Sequence, residues 1–189
     1  MSTILRPAVT LFAIMTLLTG VIYPFAVTGI AQLLFHDQAE GSLVTVNGHP
    51  VGSRVIGQSF SDPKYFWSRP SATSPQPYNA TASSGSNQGP LNPALTDAIK
   101  TRIDALKAAD PANTLPVPVD LVTASASGLD PEISIAAAKY QAARVARVRG
   151  LAPEQVQALI DAHARGRLLG LLGEPRINVL ELNLALDSL

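Results

Sequence analysis

The sequence contains no cysteine and few charged residues, and both shortages restrict what the protein can be. Without cysteine the chain cannot form a disulfide scaffold, a thiolate-bound zinc or iron–sulfur site, or a thiol nucleophile. Its three histidines, His36, His49 and His163, are separated by 13 and 114 residues, so no pair has the spacing of metal ligands on one helix. Charged residues make up 15% of the 189 positions, against about 25% in an average soluble domain.

The missing charge is concentrated at the N-terminus, where Arg6 is the only charged residue before Asp37. Residues 8–35 include 20 apolar side chains in 28 positions, and a helix of about 20 apolar residues can cross a bilayer. The sequence therefore predicts a transmembrane helix over residues 7–35, in contact with membrane lipid. A cleaved signal peptide is the alternative, with residues 29–31 as its small-x-small site, although a signal core has only about 7 to 15 residues.

The charges on either side of this segment predict its orientation. Arg6 precedes it, whereas Asp37 and Glu40 follow it, and basic residues stay on the cytoplasmic side of a membrane. We therefore expect residues 1–6 in the cytoplasm and residues 36–189 on the outer side of the membrane, anchored by one span.

Three residues of the predicted span have properties of their own. Pro24 lacks a backbone N–H and should kink the helix unless a neighbouring group compensates. Thr19 and Gly20 suit close packing against another membrane helix. A solitary anchor is the alternative to such packing.

The residues after the span carry almost no net charge. Residues 36–189 hold 13 basic and 14 acidic side chains, a net charge of −1. A nucleic-acid partner is disfavoured, because such partners select a strongly basic surface.

Short helices and strands alternate irregularly in this domain, which predicts an α+β fold with mixed helices and strands. Alternating apolar residues around Asn47-Gly48 predict a β-hairpin within residues 42–60. Helical patterns predict three helices, and alternating residues predict two short strands. The helices run from Asn92-Pro93 to Ala109, from the Leu129–Glu132 cap through Ile135 to Gly150, and from Pro153 to Gly166. The strands are Val117–Val122 and the start of the run at Ile177. An apolar turn at Leu168–Leu172 precedes the second strand.

A long loop at residues 68–93 interrupts the domain. Eighteen of its 26 residues are Ser, Pro, Gly, Asn or Thr, and Arg69 carries its only charge. Loops longer than about 15 residues in compact domains are usually functional or disordered. We interpret it as a surface that docks on a partner protein, with an ordinary connection as the alternative. The candidate partner-binding residues are Tyr78, Asn79, Gly85, Ser86, Asn87, Gly89, Pro90 and Asn92.

No pattern typical of catalysis is present. The chain lacks the Gly-x-Ser-x-Gly pentapeptide of serine hydrolases, and Gly89-Pro90 stands where a phosphate-binding loop would need Gly-Lys. His163 is expected to be a partly buried packing residue. Arg144, Arg147 and Arg149 are expected to form a solvated helix end, with docking to an acidic partner as the alternative. The sequence therefore predicts a protein without catalytic, metal or cofactor-binding residues.

Several of these segments carry motifs of a known family. They resemble the C subunit of the Kdp potassium-transporting P-type ATPase, and the similarity covers nearly the whole chain. Gln88 departs from the leucine expected in the Gly-Ser-Asn-x-Gly-Pro motif. The motifs are residues 5–8, Tyr23-Pro24, residues 65–72, Tyr78-Asn79, residues 85–93, 117–131, 144–146, 149–150 and 173–187.

The resemblance implies an essential but non-catalytic subunit of an ATP-driven, high-affinity potassium import complex in the bacterial inner membrane. It would cross that membrane once, with residues 36–189 in the periplasm. Its partners would be the pore-forming A subunit, the ATP-hydrolysing B subunit and possibly the small F subunit, which together handle ATP and potassium. The family is described as a catalytic chaperone that raises the ATP affinity of the B subunit. Because the predicted topology separates residues 36–189 from cytoplasmic ATP, we expect action through the span and the outward face of the pore. A membrane-anchored periplasmic enzyme or binding protein is the alternative.

Overall fold

The chain forms two units, one ending at Leu43 and one comprising Val44–Leu189, in a computed structural model that describes residues 2–189. The first unit is a nearly continuous helix followed by a short one. One stretch, Ile4–Leu34, is long and apolar enough to cross a membrane by length and composition, in agreement with the helix predicted over residues 7–35. The elements are α1 (Ser2–Leu17), a π-helical turn (Leu18–Ile22), α2 (Tyr23–Leu34) and α3 (His36–Ala39).

The π-helical turn lies immediately before Pro24 and explains how the helix accommodates this residue. Pro24 has no N–H to donate to the carbonyl of Gly20, four residues earlier. In the wider turn, the N–H of Tyr23 donates to the carbonyl of Leu18, five residues earlier. The Thr19 hydroxyl donates to the Met15 carbonyl over 2.7 Å. Helical hydrogen bonding thus continues on both sides of the proline.

The second unit begins with the predicted hairpin, formed by β1 (Leu43–Val46) and β2 (His49–Ser53). Asn47 and Gly48 have φ angles of 52° and 78°. Two consecutive left-handed residues define the turn that matches the twist of paired strands. The hairpin prediction is confirmed, and an antiparallel bridge between Ser53 and Ile56 turns the chain after β2.

A second antiparallel pair, β3 (Glu132–Ser134) and β4 (Arg176–Asn178), crosses the core. Ile133 lies opposite Ile177, and both are buried. Each strand leads directly into a helix, α5 (Ile135–Arg149) or α7 (Val179–Asp187), and α6 (Pro153–His163) packs against both helices. The core side chains include Phe66, Ile133, Val145, Val156, Ile160, Ile177, Leu182 and Leu186.

Polar caps determine where these helices begin. The Ser134 hydroxyl accepts from the Ala137 N–H over 3.0 Å, and the Asn178 side chain accepts from the Glu181 N–H over 3.1 Å. The predicted cap at Leu129–Glu132 was therefore placed too early. Asp130 instead accepts from the N–H of Glu132 and closes a local turn before β3.

The remaining elements of the second unit test three further predictions. Helix α4 (Pro93–Ala109) is confirmed, including its cap, because the Asn92 side chain accepts from the Ala94 N–H over 3.0 Å. The third predicted helix, α6, ends at His163 rather than at Gly166. The strand predicted at Val117–Val122 is wrong.

Residues Val119–Leu121 form a 3₁₀ helix where that strand was predicted. The preceding prolines lack the N–H groups that a strand would donate. Asp120 accepts hydrogen bonds from the N–H and hydroxyl of Ser134, at 2.7 and 3.1 Å. The Asp120 side chain therefore fixes this segment to Ser134, the residue before α5, in place of strand pairing.

Candidate functional site

The loop at residues 68–93 lies along residues 123–130 of the same unit. The Arg69 guanidinium forms an ion pair with Asp130 at 3.0 Å and donates to the Thr123 carbonyl over 3.3 Å. Further along, Ser83 and Ser84 both donate to the Ser127 carbonyl, at 2.9 and 3.0 Å. The loop therefore has a defined conformation, held at several points along its first 17 residues.

Two hydroxyl groups organise the first half of the loop. Ser71 Oγ donates to the Gly128 carbonyl over 2.7 Å and accepts from the Tyr78 N–H over 2.9 Å. Thr73 Oγ1 donates to the Gln76 carbonyl and accepts from the Asn79 N–H over 3.0 Å. These bonds close residues 71–79 into a turn that is tied to the neighbouring segment.

Tyr78 and Asn79, two of the predicted docking residues, make internal contacts. The Tyr78 hydroxyl donates to the Arg69 carbonyl over 2.5 Å. Burial raises the pKa of Tyr78 to about 12, because the phenolate is disfavoured away from water, so the hydroxyl remains a donor. The Asn79 side chain accepts from the N–H and hydroxyl of Thr81 and begins the 3₁₀ helix Ala80–Ala82.

Two glycines allow the loop and its neighbour to approach closely. Gly128 has a φ of 68°, and a Cβ there would lie 2.5 Å from the Thr73 side chain and 2.8 Å from the Ser84 carbonyl oxygen. At Gly85, a Cβ would lie 3.1 Å from the Ala126 carbonyl oxygen. The predicted residue Gly85 thus seats the loop against the domain.

The next residues of the loop face solvent. Ser86, Asn87, Gly89 and Pro90 are exposed, and Gln88 is half-buried. Asn87 has a φ of 53°. Within residues 2–189, the side chains of Ser86 and Asn87 have no hydrogen-bond partner. These polar groups are consequently available to another molecule.

Leu91 is the member of this surface that the sequence did not reveal. Its side chain is 96% exposed, and it lies between Pro90 and the helix-capping Asn92. A single leucine in a polar loop gives no periodic signal, so its exposure could not be inferred. We call residues 86–91 the exposed loop segment.

The structure thus separates the eight predicted docking residues into two groups. Four shape the loop: Tyr78, Asn79 and Asn92 through hydrogen bonds, and Gly85 through its close packing. The other four, Ser86, Asn87, Gly89 and Pro90, are solvent-exposed. Of the eight predicted docking residues, these four in the exposed loop segment can contact a partner without breaking a bond within the loop.

Side-chain amides hold the chain where it enters this loop. Asn183 accepts from the Phe66 N–H over 2.9 Å and donates to the Phe66 carbonyl over 3.0 Å. Gln141 likewise accepts from the Trp67 N–H over 2.7 Å and donates to the Trp67 carbonyl over 3.2 Å. The two amides, from α7 and α5, therefore satisfy backbone groups that would otherwise require a neighbouring strand.

Arg144 belongs to the same buried network, which corrects its assignment to a solvated helix end. Only 2% of its surface is exposed. It donates to the Pro63 carbonyl and, over 2.6 Å, to the Gln141 side chain, and its guanidinium lies 4.7 Å from the centre of the Trp67 ring. Burial lowers the pKa of Arg144 to about 10, which leaves it charged at neutral pH.

The other two arginines of the predicted cluster bind acidic groups of this chain. Arg147 pairs with the buried carboxylate of Asp110 at 2.8 Å. Arg149 pairs with Asp187 at 2.6 Å and donates to the Lys64 carbonyl over 2.8 Å. Arg147 and Arg149 are therefore already paired within this chain, and the alternative in which the cluster docks on an acidic partner would have no unpaired cation to use. His163, half-buried as predicted, lies with its ring nitrogen 2.9 Å from the Leu159 carbonyl oxygen.

The predicted residues of the membrane helix lie together at its π-helical turn. Thr19 and Gly20 are within the turn, and Pro24 follows it. A Cβ at Gly20 would meet nothing within 4 Å among the described residues. This part of the helix therefore leaves room for a close neighbour.

Across residues 2–189, no three His, Asp or Glu side chains are grouped to hold a metal ion. The site defined so far is a polar, exposed segment on a loop that the domain itself holds in place. It presents neutral amide and hydroxyl groups to solvent, on a chain with one apolar, span-length helix.

Comparison with known proteins identifies the family. Residues 5–188 match the family model described as KdpC: K+-transporting ATPase, c chain. Similar proteins named potassium-transporting ATPase KdpC subunit occur in Herminiimonas arsenicoxydans, with 70% identity over 100% of this chain and 99% of the relative, and in Dechloromonas aromatica (strain RCB), with 66% identity over 100% and 98%. A third, from Variovorax paradoxus (strain S110), is 68% identical over 100% and 97%. The chain belongs to the KdpC family.

Proposed function

We propose that this chain is a non-catalytic subunit of an ATP-driven potassium import complex, and that its exposed loop segment docks on the pore-forming subunit. The family match supports membership of a potassium-transporting ATPase. The observation that carries the docking assignment is the exposed loop segment itself, whose Ser86 and Asn87 side chains lack partners within residues 2–189.

The loop's internal bonds support this role physically. A surface that is already ordered loses little conformational entropy when it binds. Ser83 and Ser84 hold the chain just before the exposed loop segment by donating to the Ser127 carbonyl, and Asn92 holds it just after by capping α4. Docking therefore requires no folding of the loop, and the neutral amide and hydroxyl groups can read a partner without the desolvation cost of a charge.

Topology completes the proposal. Helix Ile4–Leu34 spans the inner membrane once, Arg6 lies on the cytoplasmic side, and residues 36–189 lie in the periplasm. In that arrangement the domain acts on the outward face of the pore and, through the span, on the ATPase subunit. ATP and potassium are handled by the partner subunits, and any effect on ATP affinity is indirect.

The test compares Asn87→Gly, which removes the side chain and keeps the left-handed backbone of φ 53°, with Lys100→Ala at an exposed position of α4. Both are expressed in cells that contain all subunits. Leaving a partner's buried group unsatisfied costs about 1–3 kcal/mol, roughly a 5- to 150-fold loss of association. Lys100→Ala should cost less than about 0.5 kcal/mol, as surface substitutions usually do. Recovery of the pore and ATPase subunits with the tagged chain, and growth at limiting potassium, measure the effect.

Thermal melting of the same variants separates docking from folding. We expect Asn87→Gly to melt with the unaltered chain, because glycine tolerates the φ of 53° at this position, while it recovers less of the complex. A fall in complex recovery that merely follows a lower melting temperature would make the loop structural. Unchanged melting, recovery and growth would show that Asn87 does not take part in docking.

A further inference from the structure

A second exposed surface, distinct from the exposed loop segment, lies at residues 168–172, which we call the leucine tip. Four of its five residues are leucines, and the fifth is Gly170. Leu169 and Leu171 are 85% and 81% exposed, and Leu168 and Leu172 are also exposed. An apolar cluster of this kind on a soluble surface usually marks an interaction site.

The backbone of the leucine tip satisfies most of its own hydrogen bonds. Leu168 and Leu172 exchange N–H to carbonyl bonds at 2.8 and 3.0 Å, and the N–H groups of Gly170 and Leu171 donate to the carbonyls of Arg167 and Leu168. Below it, Arg165 and Arg176 form another reciprocal pair. In an apolar medium, unsatisfied backbone groups are the main cost of burying a chain. Within residues 2–189, four of the five N–H groups of the tip are satisfied, whereas the Leu169 N–H and the carbonyls of Leu169, Gly170 and Leu171 are left for the water and headgroups of a bilayer surface.

The turn also keeps a leucine where another residue would fit the backbone better. Leu169 has a φ of 53° and Gly170 a φ of 73°. Glycine or asparagine is the usual choice for such left-handed positions, because a larger side chain adds strain. The leucine is neither buried nor favoured by the backbone, so its apolar side chain is not explained by the stability of the domain.

Three arginines surround the base of the leucine tip. Arg165, Arg167 and Arg176 each pair with a glutamate, yet 41–50% of each arginine side chain remains exposed. Their partners are Glu181, Glu174 and Glu132, so the three pairs together carry no net charge. The exposed parts of the arginine side chains can nevertheless donate to lipid phosphates while the leucines beside them meet acyl chains.

We propose that the leucine tip inserts into the lipid bilayer, with the arginines at the level of the phosphates. The inference rests on the proposed membrane span, Ile4–Leu34, which would tether the second unit to a bilayer. A bilayer is favoured over a protein partner because the tip is purely aliphatic, whereas protein hot spots are rich in Trp, Tyr and Arg at the centre of the contact. The tip thus provides a second membrane contact.

The absence of cysteine allows a direct test, because a single introduced cysteine can be labelled specifically. The full chain carrying Leu169→Cys, labelled with an environment-sensitive fluorophore, is placed in nanodiscs of phosphatidylethanolamine and phosphatidylglycerol. Leu115→Cys is the matched control, because Leu115 is also an exposed leucine of the second unit. Lipids carrying a nitroxide near the headgroup or near the bilayer centre report the depth of the label.

We expect the Leu169→Cys label to emit at shorter wavelength and to be quenched by the shallow nitroxide more than by the deep one, at a depth of about 5–10 Å. The Leu115→Cys label should remain unquenched. A water-like, unquenched label at position 169 overturns the proposal. So does a blue shift without lipid quenching that occurs only when the other subunits are added, which would identify a protein partner.

Co-elution of the chain with the nanodiscs tests the span separately. A chain that does not co-elute contradicts the proposed membrane span. A chain that co-elutes with its label at position 169 still in water contradicts only the insertion of the leucine tip.

Discussion

Replacing Asn183 by alanine removes both hydrogen bonds that hold Phe66 at the start of the long loop. The Phe66 N–H and carbonyl then lie in a buried position without these partners. At about 1–3 kcal/mol for each unsatisfied buried group, the free energy of unfolding should fall by about 2–6 kcal/mol. Total stabilities are only about 5–15 kcal/mol, so the variant should lose a large part of its stability.

The chain provides its own probe for this measurement, because Trp67 is its only tryptophan and adjoins Phe66. Denaturant unfolding of the full chain in nanodiscs, followed by Trp67 fluorescence, gives the change in free energy. Asn87→Gly is the control, since it removes the same side chain from an exposed position whose φ of 53° glycine tolerates, and it should change stability by less than about 0.5 kcal/mol.

The two asparagine variants should give opposite results in the two assays. Asn183→Ala should lower stability strongly, whereas Asn87→Gly should lower complex recovery without changing stability. A loss below about 0.5 kcal/mol for Asn183→Ala, within the range of ordinary surface changes, would refute the role assigned to the amide. Water would then satisfy the backbone of Phe66 equally well.

Three further predictions concern other parts of the chain. Alkaline phosphatase fused after Leu189 should be active, and a cytoplasmic fluorescent reporter at the same position dark; the reverse pattern contradicts the proposed orientation. Gly128→Ala should destabilise the domain by about 1–3 kcal/mol in denaturant unfolding, because the backbone there is left-handed and the added Cβ would contact Thr73. Gly166→Ala is the control and should be nearly neutral, because a Cβ at Gly166 would have nothing within 4 Å among the described residues. Burial raises the pKa of Tyr78 to about 12, so its protonated hydroxyl favours the folded state below pH 10, and this stabilisation is lost as the pH rises towards 12. Tyr78→Phe should therefore reduce the fall in the free energy of unfolding between pH 10 and 12. If the variant and the unaltered chain lose stability equally over that range, the assignment is contradicted.

Features with local signals were predictable from the sequence. Asn47-Gly48 determines its own turn conformation, and Asn92-Pro93 carries both the cap and the first residue of α4. The apolar N-terminal segment needed only its length and composition. In each case, neighbouring residues contain the physical cause of the structure.

Features that depend on distant residues were not predictable. The strand predicted at the start of the run at Ile177 is confirmed as β4 (Arg176–Asn178), but the sequence did not indicate its partner, because β3 has only three residues and pairs with β4 across more than 40 positions. Arg144 looked like a solvated helix end because its partner Pro63 lies 81 residues away. Likewise, the composition of the long loop indicated an interaction surface, but its division into anchored and exposed residues depends on contacts with residues 123–130.

The π-helical turn at Leu18–Ile22 changes how the faces of the first helix should be compared along the sequence. An α-helix advances by about 100° per residue, and the wide turn absorbs one extra residue as a local bulge. Side chains before and after it consequently share a face at spacings one residue longer than a regular helix would give. A one-residue deletion within this turn would preserve the alignment of α1 and α2, whereas the same deletion elsewhere in the helix would rotate all later side chains by about 100°.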